Sequence, residues 1–167
     1  MAKIGPSERL DQPQMYVIDD ELKEFVESGV ATVVGTVDGD GHPHVVFGWG
    51  SRCRGGSSIE VFVEEARSNR TMANIADNGR IALTLASPVS YRSIQFKGFV
   101  DESSAATPGD EPWIQKHRDA FMVELLLIGD PPEAARNLPM SGPLIRLRFD
   151  AQAAYDQTPG PEAGRQL

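Results

Sequence analysis

Apolar and polar positions alternate over residues 30–37, a valine- and threonine-rich run that predicts a half-buried strand. Asp38-Gly39-Asp40-Gly41 follows, and Asp-Gly steps tolerate the positive φ that tight hairpin turns demand. Residues 44–50 return as a second strand, residues 52–57 read as a polar, glycine-rich loop, and residues 58–63 place Ile59, Val61 and Val63 on one face of a third. Elsewhere the period lengthens to that of a helix. Asp19 or Asp20 can cap a short helix with Leu22, Phe25 and Val26 on one face and Gly29 at its end. Residues 68–78 predict a second helix, with Ser68 as cap, Met72, Ile75 and Ala76 as its apolar stripe, and Gly79 as terminator. Residues 113–128 predict the longest helix, in which Trp113, Phe121, Leu125 and Ile128 recur at helical spacing as core or dimer contacts. Residues 81–86, 92–102 and 144–150 supply three more strands; Pro88 breaks the first of these, and Gly98 marks a bend or close backbone approach in the second. The stretch 129–143 reads as a loop with a short helical turn.

Six strands joined largely by tight turns, with few helices, predict a mainly β fold: an antiparallel six-stranded barrel with peripheral helices. A parallel sheet is disfavoured because the first three strands lack intervening crossover helices. The barrel domain is expected over residues 18–155, after a loosely held polar lead-in (1–17) and before a turn-rich surface tail (156–167).

The 16 basic and 24 acidic side chains leave a net charge of −8 and no dense basic patch, which weighs against nucleic acid and anionic membrane as partners. No apolar run reaches the roughly 20 residues of a membrane span, and the first residues lack the apolar core of a secretory signal. A lone cysteine, Cys53, forbids an internal disulfide and suits a cytoplasmic location. Flanked by Arg52 and Arg54 but with no base in view, it is expected to be a bystander.

The segment Ser68 to Thr71 carries the most chemistry. A helix start has unpaired N–H groups and partial positive charge, Arg70 adds a forked donor and Thr71 a hydroxyl, which together suit a phosphate monoester. The competing reading is an ordinary serine cap beside a solvated arginine. His42 and His44 share a face if both lie in the strand, but no third ligand is near them in sequence, so no metal site is expected. Trp49 could stack on a ligand or fill core space. The Asp38–Gly41 turn lacks the rest of a calcium loop.

The order short helix, hairpin with Gly41-His42-Pro43, third strand, Arg70-Thr71, Asn74-Ile75 and Asn78-Gly79-Arg80-Ile81 resembles the pyridoxamine 5′-phosphate oxidase-like family of FMN-binding split β-barrels. The resemblance covers residues 20–102, with a looser continuation. It implies an FMN-dependent oxidoreductase acting on a small molecule, a homodimer with flavin at the interface, and a phosphate site at Arg70 and Thr71, where the family's lysine is replaced by Thr71. It further implies a strand along the flavin ring at Val46, Phe47, Gly48 and Trp49, with Val46 in place of the family's arginine, and polar contacts from Arg92 and Ser93. Glu64 and Glu65, where the family carries Thr or Ser, are expected to face solvent or pair with Arg67. The family's carboxy-terminal Arg-x-His substrate motif has no counterpart, which weighs against oxidation of pyridoxamine phosphate itself. No side chain stands out as a catalytic acid or base. Two alternatives are a non-catalytic flavin or haem carrier or sensor, with His42, His44 or His117 as axial ligand, and a deazaflavin-dependent reductase.

Overall fold

The computed structural model describes residues 14–130, 133 and 142–167. The six expected strands are β1 (Ala31–Val37), β2 (Pro43–Gly55), β3 (Ser58–Glu64), β4 (Arg80–Ala86), β5 (Ser93–Ala105) and β6 (Leu144–Asp156). They pair antiparallel in the order β3-β2-β1-β4-β5-β6, and β3 pairs again with β6, closing a barrel without a free edge. A short β7 (Arg165–Gln166) folds back onto the end of β6. The helices are α1 (Asp20–Val26), α2 (Asn69–Asn78), entered through a 3-10 turn at Glu65–Arg67, and α3 (Glu111–Leu127).

Alternation decides which face is inside. Along β1, Thr32, Val34 and Thr36 are buried while the residues between them are half-buried. Val34, Ile59, Leu83, Phe96, Leu147 and Phe149 are wholly buried in the barrel interior. A second cluster, Trp49, Phe62, Ile114 and Leu144, lies where α3 packs on the outside. The bend at Gly98 is real: a Cβ there would stand 2.1 Å from the Asp150 carbonyl oxygen, so β5 can pass β6 only with hydrogen at that position. Asp19 is the cap of α1, its Oδ1 accepting the Leu22 N–H at 2.8 Å.

Several expectations change. The polar stretch 52–55 is strand, because Arg52 is neutralised by Glu60 at 2.6 Å and Cys53 packs against the core; only Gly56 and Ser57 form the turn, with Gly55 and Gly56 both at positive φ. Ser68 does not cap α2: its hydroxyl donates back to the Glu64 carbonyl. Of the expected stripe on α2, Met72 and Ile75 pack against the core beside buried Thr71 and Asn74, and Ala76 is exposed. Two asparagines tie α2 to the end of β1, Asn74 donating to Thr36 Oγ1 (3.0 Å) and Asn78 to the Val37 carbonyl (2.8 Å). The lead-in is held from residue 16 onward, with the Tyr16 N–H on the Ala151 carbonyl and the Ile18 N–H on that of Gly56. β6 runs six residues past position 150, and the tail is tied to it by β7. On α3, Trp113 and Phe121 are half-buried, whereas Ile128 is exposed. Residues 1–13 of the expected lead-in and most of the 129–143 loop lie outside the described residues.

Candidate functional site

A groove of about 420 Å³ runs beside β2, lined by His44, Val45, Val46, Phe47, Trp49, Glu64 and Arg67. That volume falls within the range of small-molecule and cofactor pockets. β2 supplies one wall: Phe47 is 67% exposed and turned outward, while Val46 leans on the core. Trp49 is 9% exposed and packs with Phe62, Ile114 and Leu144, so it is first a core residue, with an edge at the groove. Gly48 keeps β2 close to β1, since a Cβ would stand 2.6 Å from Thr32 Cγ2 and 3.0 Å from Val61 Cγ2. Arg118 of α3 stands over Trp49, 5.9 Å from the ring centre.

The opposite wall comes from the strand-to-helix junction. Glu64 is buried at the end of β3 and forms an ion pair with Arg67 at 2.9 Å, while Glu65 is exposed. This is one of the two placements expected of those acids. Arg67 and His44 are groove residues that sequence reasoning did not assign; the i, i+3 spacing of Glu64 and Arg67 and the alternation along β2 were the available signals.

Thr71 is fully buried, and its Oγ1 has no hydrogen-bond partner. His44 Nε2 is likewise buried and without a partner on the groove wall. Buried polar atoms are nearly always bonded, so the His44 nitrogen on the groove wall is a point at which a ligand can bond, whereas Thr71 does not line that groove. The uncapped start of α2 adds backbone donors, since Ser68 leaves them to other acceptors. These features fit a polar, anionic ligand. Arg70 does not line the groove; its Nη2 donates to Asp38 Oδ2 on the β1–β2 turn at 3.3 Å.

Arg92 and Ser93 lie elsewhere. β5 is three strand steps from β2, about 14 Å at sheet spacing. Arg92 ion-pairs with Glu21 at 2.9 Å and covers the Phe25 ring at 4.8 Å, and the Ser93 N–H donates to Thr158 Oγ1. One chain therefore does not bring them to the groove.

The histidines are also separate. His42 precedes β2 and bonds Asp38 through its N–H at 2.8 Å. His117 is buried under Gly50, its Nδ1 donating to the Ser28 carbonyl at 3.1 Å, and the adjoining cavity measures about 50 Å³, too small for a haem. Burial lowers the His117 pKa to about 4, only partly offset by the Ser28 bond. Burial, and next the Glu27 carboxylate, push the Cys53 thiol up to about 12, which makes it inert. Asp38, Asp40 and His42 cluster within 4.8 Å, but Asp38 already accepts from Asp40, His42 and Arg70.

A larger, apolar trough of about 500 Å³ crosses the outer faces of β1, β2, β4, β5 and β6. Gly35, Ala82 and Ala153 form its floor, Phe99 and Tyr155 its flank, and His44 and Val45 are shared with the groove.

A family model described as pyridoxamine 5′-phosphate oxidase matches residues 18–154. The chain belongs to that family. Its barrel is the family's fold, and the match ends at residue 154, two residues before the end of β6, leaving β7 outside. Among solved structures, Group A Streptococcus HupZ is similar, with 16% identity, 88% of this chain and 99% of that chain covered, and a TM-score of 0.53. A protein related to general stress protein 26, of the pyridoxinephosphate oxidase family from Clostridium acetobutylicum, gives 19% identity, coverage of 81% and 84%, and a TM-score of 0.51. An F420 reductase gives 16%, 79%, 94% and 0.50. At these identities the likeness is one of fold. No curated protein matches the chain by sequence. No helix among the described residues is long and apolar enough to cross a membrane.

Proposed function

We propose that the chain binds FMN in the β2 groove, works as a homodimer, and carries out flavin-dependent oxidation or reduction of a small molecule. The observation that carries this reading is the groove itself, in which Val46, Phe47 and Trp49 meet the Glu64–Arg67 ion pair and the unpartnered Nε2 of His44. An apolar strand facing a polar junction suits a ligand with a flat ring at one end and a phosphate at the other. Bound flavin would supply the hydride or electron transfer.

The chain's own residues position and enclose it. Phe47 and the edge of Trp49 offer flat apolar surface to a ring, and His44 offers a ring nitrogen. Arg67, which precedes α2, supplies the positive charge on the groove wall at the phosphate end. A second copy is needed because Arg92 and Ser93 lie three strands from the groove of their own chain. The trough that adjoins the groove at His44 and Val45 offers the apolar surface for that copy.

Incubation with FMN followed by gel filtration tests the reading. A yellow protein with near-stoichiometric flavin, bleached by NADH or NADPH without air, supports it. Protein that stays colourless refutes it. Uptake of a deazaflavin in preference to FMN would move the activity to that cofactor.

A further inference from the structure

The groove holds a cation that the family correspondence leaves unassigned. Arg67 ends the 3-10 turn before α2 and lines the groove with Val46, Phe47 and Trp49. Its Nε lies 2.9 Å from Glu64 Oε2. Glu64 is the one ion-pair partner of Arg67 among the described residues, and the Arg67 side chain is 64% exposed. A guanidinium held by one edge presents its other donors as a fixed fork, the geometry that grips phosphate in a bidentate way.

Arg70 offers less. Its Nη2 is committed to Asp38 and it does not reach the groove wall. Thr71, at the position of the family's lysine, carries no charge and is buried. The ionic wall of the groove therefore depends on Arg67.

We propose that Arg67 is the principal phosphate-binding cation of this groove, with Glu64 as the positioning residue that holds its guanidinium there. The inference rests on the flavin reading above. Glu64 fixes the side chain before the ligand arrives, which reduces the ordering cost of binding. It also limits how deep an anion can go, so the phosphate meets the outer edge of the guanidinium. The site then recognises the phosphate of FMN, and riboflavin, which has the same ring and no phosphate, is bound without help from Arg67.

The test is a fluorescence titration of FMN and of riboflavin against wild type, Arg67→Ala, Arg67→Lys and Arg70→Ala. Loss of a charge-assisted contact predicts that Arg67→Ala weakens FMN by about 10- to 100-fold and leaves riboflavin within about 3-fold. Arg67→Lys should fall between the two, since it restores charge without the fork, and Arg70→Ala should cost less than Arg67→Ala. Unchanged riboflavin affinity also shows that the groove is still folded. Equal loss of both ligands, no loss of FMN, or a larger loss in Arg70→Ala would overturn the proposal while leaving the flavin reading in place. Wild type that binds neither ligand would overturn both.

Discussion

His117 is buried and bonds the Ser28 carbonyl, which a neutral ring satisfies through Nδ1. Its value of about 4 in the folded chain stands below the ordinary 6.5 because burial penalises the charged form. The unfolded chain therefore binds the proton more readily. Its contribution to stability is complete above pH 6.5 and is lost as pH falls toward 4. We expect urea stability to decline through that window by up to about 3 kcal/mol from this residue alone. His117→Gln should flatten the decline; an equal slope in the variant would show that other groups cause it. At this scale the sequence was a partial guide. Serine before a helix usually caps, yet Ser68 bonds back to Glu64, and nothing in the residue order announces that a carbonyl four positions earlier competes for the hydroxyl.

The elements are joined by charge as much as by apolar contact. Asp110, just before α3, accepts from the Thr107 N–H and hydroxyl and from Arg52 of β2, and Arg52 also bonds Glu60 of β3. Burial pushes the Asp110 carboxyl up, but these bonds outweigh it and hold the carboxyl below its ordinary range. Asp110→Ala would leave Arg52 partly buried with one partner fewer, a change that costs about 3 kcal/mol or more when a buried pair is broken. Asp110→Asn should cost less, because it can still accept from Thr107. Urea unfolding checks both, and a cost under about 1 kcal/mol for the alanine variant would mean water replaces the carboxylate. The same ionic pairing explains why β2 outran its expected end. Arg52-Cys53-Arg54 looks like a loop when read by composition, whereas in space Glu60 stands opposite. The Asp38–Gly41 turn and the Gly79 stop were legible because each is set by local backbone geometry.

For the whole molecule, strand count and tight turns made the barrel legible, and closure by β3 against β6 follows once six strands curl together. The groove was legible only in part. Val46 to Trp49 could be placed along β2 by pattern, but its facing wall is built by Glu64 and Arg67 across a turn. Arg92 and Ser93 illustrate the limit: the family resemblance implies that they contact a flavin, while one chain holds them three strands from the groove. In the proposed dimer a second copy would supply them, with the apolar trough beside the groove as the surface it covers. Native mass spectrometry of protein incubated with FMN tests this most directly. The account predicts a dimer carrying two FMN, with little dimer bearing none. A monomer, or a dimer that gains no flavin mass, would contradict it.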